Sequence, residues 1–134
     1  MGPNDAEMVR VWTRDPAVPT IADVTLPVAT NFEVVVECEA GTALHGSGAQ
    51  FSTNIVIRDI TANNNIAANP AAGFSGAMAT AAWQNYAKQF VYTLPAANLA
   101  GRQNHVCQVL AYLQVGVVNP DVSFASSPLL IITS

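Results

Sequence analysis

Charged residues are scarce in this chain. Asp, Glu, Lys and Arg make up 10% of its 134 residues, whereas about 25% is usual for a soluble domain. The five bases include a single lysine, Lys88, and they form no run. Because phosphate binding needs a clustered basic surface, this scarcity excludes nucleic acid as a partner.

Long apolar runs are also absent. A membrane-spanning helix needs roughly 20 apolar residues, and the longest candidate here is the short stretch from Leu129 to Ile132. The sequence therefore predicts no membrane span. The first residues lack the basic start and apolar centre of a signal peptide. We expect a cytoplasmic location, or an extracytoplasmic one if an export signal lies outside this sequence.

Motifs for catalysis and metal binding are missing as well. Ser47 has glycines as immediate neighbours, whereas a nucleophile elbow needs them two residues away on either side. His105 and Cys107 could supply two zinc ligands, but no Cys-x-x-Cys pair anchors such a site. We therefore predict no enzymatic activity, no catalytic residues, no bound metal and no cofactor.

The chain does contain strand-like alternation, most clearly in residues 105–115. Apolar side chains occupy every second position there, which places them on one face of a strand and predicts that Val109 lies in the core. Residues 32–39 alternate in the same way around Val36, and residues 51–61 and 88–94 follow the same pattern. We expect these four segments to be the core strands.

The remaining segments are shorter and are separated by turn residues. Residues 8–13 and 20–28 predict edge strands, and residues 122–133 predict a final strand that is interrupted at Ser126, Ser127 and Pro128. Residues 42–50, which include His45, predict a flexible polar loop. Together these patterns predict an all-β fold, a two-sheet antiparallel Greek-key sandwich of about seven strands, with one domain over residues 1–134.

Three acidic residues, Glu33, Glu37 and Glu39, share the outward face of the strand at residues 32–39. A solvated face is the favoured interpretation of this pattern. A calcium site or pairing with a basic partner are the alternatives.

The two cysteines, Cys38 and Cys107, both fall on predicted inward faces. Two core strands that each carry one inward cysteine suggest two sheets packed face to face with the thiols meeting between them. A core disulfide is one interpretation, and two buried free thiols are the other.

From residue 32 to residue 133, the order and spacing of these segments resemble an immunoglobulin-like or fibronectin type III-like domain. The resemblance implies that residues 32–39, 51–61, 88–94, 105–115 and 122–133 are strands B, C, E, F and G. The separation of the cysteines, 107 − 38 = 69 residues, is similar to that between strands B and F of such domains. His105 stands where the corner tyrosine of that family would be.

Composition favours a non-catalytic structural or protein-interaction module, including self-association. The chain is 51% hydrophobic and has too little charge to solvate a whole monomer surface. The alternative is a module that binds carbohydrate or another small ligand, with Trp83, Tyr86 and Tyr112 as a stacking platform. Trp83 and Tyr86 could equally be core residues.

Overall fold

Two β-sheets packed face to face form the protein, according to a computed structural model that describes residues 5–66, 73–116 and 120–134. Ten strands and two short helices lie within these ranges. The strands are β1 (Ala6–Arg14), β2 (Thr25–Pro27), β3 (Phe32–Ala40), β4 (Gln50–Asp59), β5 (Asn64–Ile66), β6 (Phe74–Ala77), β7 (Ala87–Leu94), β8 (Val106–Val115), β9 (Asp121–Ser126) and β10 (Leu130–Thr133). The helices are α1 (Thr42–Gly46) and a 3₁₀ helix (Ala96–Leu99).

The first sheet has the order β1-β3-β7, and all its pairs are antiparallel. The second sheet has the order β2-β10-β8-β4-β5, with β6 also paired to β4 and β9 also paired to β8. Only β2 and β10 run parallel in the described part of the chain. The predicted all-β sandwich is therefore confirmed. The strand count exceeds seven because the last predicted strand is split into β9 and β10, and because β5 and β6 share one edge of β4.

The core lies between the sheets, and its residues follow the predicted alternation. Val36 of β3 and Val109 of β8 are both 0% exposed. The predicted inward residues of the four core strands are all buried: Phe32, Val34, Val36, Cys38, Phe51, Thr53, Ile55, Ile57, Phe90, Tyr92, Leu94, Cys107, Val109, Ala111, Leu113 and Val115. Strand period alone was sufficient for this assignment, because a shift of one residue would turn every one of these side chains outward.

The predicted polar loop at residues 42–50 is instead partly helical, and that prediction is wrong. The His45 N–H donates to the Gly41 carbonyl over 2.9 Å to close the turn of α1. The imidazole is buried, and its Nε2 donates to the Trp83 carbonyl oxygen over 2.9 Å. A buried polar group needs such a partner, so His45 fixes this segment against the core.

Aromatic side chains hold the two sheets together near α1. Phe51 of the second sheet lies 5.6 Å from Phe90 of the first, measured between ring centroids, and 5.1 Å from Trp83. One step further along the strands, the Tyr92 hydroxyl donates to the Thr53 carbonyl oxygen over 3.0 Å. These contacts fix which levels of the two sheets face each other.

Candidate interaction surface

The three aromatic residues of the predicted platform have different surroundings. Trp83 is 0% exposed and packs against Phe51 and Phe90, so its ring is a core element with no face free for stacking. Tyr86 is 54% exposed just before β7, whereas Tyr112 is 36% exposed on the outer face of β8 in the other sheet. Ligand binding by Tyr86 and Tyr112 stays a prediction.

The two cysteines are buried as predicted, and both are free thiols, which is the second of the two interpretations that the sequence left open. Cys38 lies two residues beyond Val36, on the side of the aromatic contacts near α1, whereas Cys107 is opposite Asp59 at the far end of β4. At about 3.3 Å per residue, roughly 30 Å separates the two levels. Burial raises the pKa of Cys38 to about 12 and that of Cys107 to about 11, so both thiols stay protonated.

A buried carboxylate occupies the far end of β4. The side chain of Asp59 is 0% exposed, and its Oδ2 accepts from Arg102 Nη1 over 2.6 Å and from His105 Nδ1 over 2.7 Å. Burial by itself raises the pKa of Asp59, but hydrogen bonds from the Ala62 N–H, His105 and Arg102 outweigh it and lower this pKa to about 2. Arg102 also donates to Asn64 Oδ1 over 2.7 Å.

His105 therefore joins two strands through the carboxylate of Asp59. His105 precedes β8, and Asp59 ends β4. Both oxygens of Asp59 already accept hydrogen bonds from this chain. We therefore interpret the cluster as a structural one that connects β4 to the start of β8.

The described residues contain neither a metal-binding group nor a helix able to span a membrane. Within residues 5–66, 73–116 and 120–134, no group of three or more His, Cys, Asp or Glu side chains is arranged to hold a metal ion. His45 and His105, the two histidines, are bonded to a carbonyl and to a carboxylate respectively. No helix in these ranges is both long and apolar enough to cross a bilayer.

The outer face of the first sheet is covered by a layer of side chains from β1. Trp12 lies opposite Val35 of β3, and the two are 7% and 0% exposed although both point away from the core. The guanidinium carbons of Arg10 and Arg14 lie 5.0 and 5.6 Å from the Trp12 ring centroid. Both arginines therefore make cation–π contacts with the Trp12 ring.

Two of the three outward glutamates anchor this layer. Glu33 Oε1 accepts from Arg14 Nε over 2.8 Å, and Glu37 Oε2 accepts from Trp12 Nε1 over 3.1 Å and lies 3.9 Å from Arg10 Nη1. Pairing with a basic partner, one of the alternatives from the sequence, therefore applies to Glu33 and Glu37, with the bases supplied by β1 of the same chain. Glu39 is exposed.

In the part of the chain that the structure describes, no comparable layer covers the outer face of the second sheet. Five apolar side chains on β4, β8 and β9 form what we call the apolar patch: Val56, Leu110, Tyr112, Val122 and Phe124. Their exposed fractions range from 36% for Tyr112 to 76% for Phe124. Leu110 is opposite Val56, and Tyr112 is opposite Phe124, so the residues form a contiguous surface.

Two further features of the apolar patch bear on what it could bind. A depression of about 360 Å³ lies beside Phe124 and is lined by Leu110, Ala111, Phe124, Ala125 and Ser126. Among the described outward side chains of β4, β8 and β9, Arg58 alone carries a charge, and it donates to Asn65 and Asn63 at one end of the face. The apolar patch itself is thus uncharged and uneven, and the one cation lies at the end of its face.

The sequence did not reveal the apolar patch. Leu110 and Val56 were visible as outward residues of their strands, but the facing of Phe124 was hidden by the interruption after β9. The available signal was the low charge of the whole chain, which indicated an exposed neutral surface without locating it.

Comparisons with known proteins support the fold and assign no family. No protein-family description matches this sequence, and no curated protein is similar to it. Among solved structures, the chain is similar to AggA, the major subunit of aggregative adherence fimbriae type I from Escherichia coli. That alignment has a TM-score of 0.53 and 10% sequence identity, and it covers 97% of each chain.

A second similar structure is the C-terminal domain of wzt, which also aligns with a TM-score of 0.53 and 10% identity. It covers 100% of this chain and 75% of the other. At this level of identity the two likenesses define the class, an all-β sandwich, and nothing finer.

Proposed function

We propose that this protein is a non-catalytic structural module that associates with a second copy of itself through the apolar patch. The observation that carries the proposal is the exposure of Phe124, 76%, on a face with four other exposed apolar side chains. Soluble monomers rarely leave contiguous apolar surface of this kind in water. Covering it would recover about 25 cal/mol for each Å² of apolar area removed from solvent.

The charge of the face favours a like partner. A charged partner would have to leave its ionic groups desolvated against this surface without a counter-ion. A second copy brings neutral and apolar groups and a single charged side chain, Arg58, at one end of its face. In a two-fold arrangement whose axis runs across the strands, the Arg58 side chains of the two copies would lie at opposite ends of the interface.

Shape and size agree with this choice. Phe124 protrudes next to the depression beside Leu110, so a two-fold axis could insert each Phe124 into the depression of the other copy. The outer face of β4, β8 and β9 is three strands wide and at most ten residues long, which is roughly 480 Å² as a flat rectangle. A standard interface buries about 800 Å² per partner, so the face is of the right order for a dimer.

The immunoglobulin-like topology is a second part of the proposal. We infer that the sandwich is immunoglobulin-like, because β3 and β7 share one sheet while β4, β8 and the pair β9 and β10 share the other, as the resemblance implies for strands B, E, C, F and G. The N-terminal strand also closes onto the C-terminal half, since the Met8 N–H donates to Ser123 Oγ over 3.1 Å. This supports one domain over residues 1–134. The fimbrial subunit is an example of a sandwich that serves in an assembly.

Sedimentation velocity from micromolar to millimolar protein tests the proposal. We expect a concentration-dependent dimer that Phe124→Asp converts to a monomer. Ile21→Asp is the matched control, because Ile21 is 60% exposed outside the apolar patch and its change should leave the dimer intact. A strict monomer at millimolar concentration, or equal effects of the two substitutions, would contradict self-association through this face.

A further inference from the structure

The free edge of the first sheet is formed by β7. Its partner β3 lies on one side, and no strand in the described ranges pairs with the other side. The Ala40 N–H donates to the Tyr86 carbonyl over 2.9 Å, and the register continues without a bulge. In the alternating antiparallel pattern, the even-numbered residues of β7 therefore bond to β3. Gln89 and Val91 direct their N–H and C=O groups away from the sheet.

A cavity of about 400 Å³ lies along this edge, between β7 and β6. Its apolar wall includes the rings of Phe51, Phe74 and Phe90, and Phe74 also packs edge-on against Tyr92 at 4.9 Å between centroids. Even-numbered side chains of β7 point inward. A strand added to the edge would therefore direct every second side chain towards this cavity.

A single cation stands at one end of the cavity. Lys88 lines it, and the ammonium nitrogen lies 5.7 Å from the Phe90 ring centroid. No carboxylate pairs with Lys88 within the part of the chain that the structure describes. In a chain with a formal net charge of −4, its one lysine is thus left available for an acid from elsewhere.

We propose that the edge of β7 binds an extended peptide segment of another protein, which adds as a strand, inserts an apolar side chain into the Phe51–Phe74–Phe90 cavity and pairs a carboxylate with Lys88. The unpaired backbone groups of Gln89 and Val91 supply the main-chain bonds, and the cavity and the cation supply selectivity. This surface is separate from the apolar patch, so the inference does not depend on self-association.

A designed peptide tests the proposal. The capped octapeptide Val-Thr-Val-Thr-Phe-Thr-Glu-Thr, antiparallel to β7, would place its glutamate opposite Lys88 and its phenylalanine opposite Phe90. In a titration followed by NMR, we expect saturable shifts of the Gln89 and Val91 amide signals. No saturable shift of these two amides at millimolar peptide, or shifts centred on the apolar patch instead, would overturn the proposal.

Backbone methylation separates strand addition from simple hydrophobic binding. In this register, the threonines opposite Gln89 and Val91 bond to the edge, whereas the amide groups of the phenylalanine and the preceding valine point away from it. N-methylation of the two threonines should abolish binding, and N-methylation of the phenylalanine and valine should preserve it. Equal affinity of the two methylated peptides would overturn the strand-addition geometry.

A charge exchange tests the role of Lys88. Lys88→Gln should weaken binding of the octapeptide by up to about fivefold, the range expected for a cross-strand ion pair. Lys88→Glu should weaken it further and should recover affinity for the peptide in which lysine replaces glutamate. If Lys88→Glu binds both peptides equally, the carboxylate specificity is wrong.

Discussion

On the outer face of the first sheet, Val35 is fully covered, whereas on the outer face of the second sheet Leu110 is 46% exposed. Both residues lie on a central strand and point away from the core. The difference comes from the neighbouring strand. β1 places Trp12 over Val35 and holds it with two arginines, whereas β9 places Phe124 beside Leu110 with no long polar side chain to cover it.

The comparison shows that a solvent-facing sheet surface can have a packed layer of its own. Long side chains such as arginine bury apolar surface with their stems while their charged ends stay in water. The first sheet has that layer, and the second does not. We therefore expect outward substitutions to reduce stability on the first face and to change association on the second.

The largest expected difference in the free energy of unfolding is between two matched substitutions on the central strands. Val35→Asp should reduce the free energy of unfolding by more than about 4 kcal/mol or prevent folding, because it buries an unpaired charge under Trp12. Leu110→Asp should change it by less than about 0.5 kcal/mol in the monomer, because the new charge faces water. Urea denaturation of dilute protein measures both. Similar losses from the two substitutions would show that the two faces do not differ.

The covering layer itself is tested by Trp12→Ala. Removing this ring should lower the free energy of unfolding by about 3 kcal/mol, since it exposes Val35 and loses the packing of a nearly buried tryptophan. Phe124→Ala, the control on the other face, should leave the stability of the monomer within about 0.5 kcal/mol. Thermal melts of dilute protein compare the two. A Trp12→Ala melt that matches the unchanged protein would mean that the layer contributes little.

Acid pH tests how much the buried carboxylate of Asp59 contributes to the free energy of unfolding. The pKa of Asp59 is lowered from 3.8 to about 2, so its contribution is fully present above pH 3.8. It is lost as the pH falls through about 2, because the unfolded chain binds the proton first. The loss should be about 2 kcal/mol in the free energy of unfolding.

The measurement is urea denaturation at a series of pH values between neutral and about 2. Asp59→Asn should remove this part of the pH dependence. Glu33→Gln, on the covered face, should retain it. An unchanged acid slope in Asp59→Asn would assign the effect to other carboxylates.

The smallest expected effects lie within the covering layer. Arg14→Met should cost about 1 kcal/mol, and Arg10→Met less than about 0.5 kcal/mol. Arg14 Nε lies 2.8 Å from Glu33 with both side chains mostly buried, whereas Arg10 lies 3.9 Å from Glu37 and its side chain is 55% exposed. Methionine keeps most of the apolar stem, so the comparison isolates the charge. The free energy of unfolding of both variants, measured at low and at high salt, checks this ranking. A larger loss for Arg10→Met than for Arg14→Met would contradict it.

Alternation along the chain was enough to predict the all-β class and the inward side of each core strand. The assignment of Val36, Val109 and both cysteines to the core needed nothing beyond the two-residue period of a strand. The final strand, with its break after Ser126, was also foreseeable, because serine and proline interrupt a ladder locally. These properties depend on residues that are neighbours in sequence.

The two cysteines mark the limit of that reasoning, because the sequence left a disulfide and two free thiols equally open. The two-residue alternation predicts which face of a strand a cysteine lies on, but not how far along the sandwich it lies. The strand register places Cys38 and Cys107 at opposite ends of the sandwich. His45 shows the same limit. Its glycine-rich surroundings predict a loop, but its burial depends on the Trp83 carbonyl, 38 residues away.

The candidate surfaces depend still more on tertiary structure. The sequence by itself determined that this chain folds as a sandwich with too few charges to cover all of its surface. Only the tertiary structure decided where the uncovered surface lies, because that depends on which strand becomes the neighbour of β3 and which the neighbour of β8. Sheet order is set by pairing between segments far apart in the chain, and the side chains that meet across such pairs leave no periodic signal in the sequence.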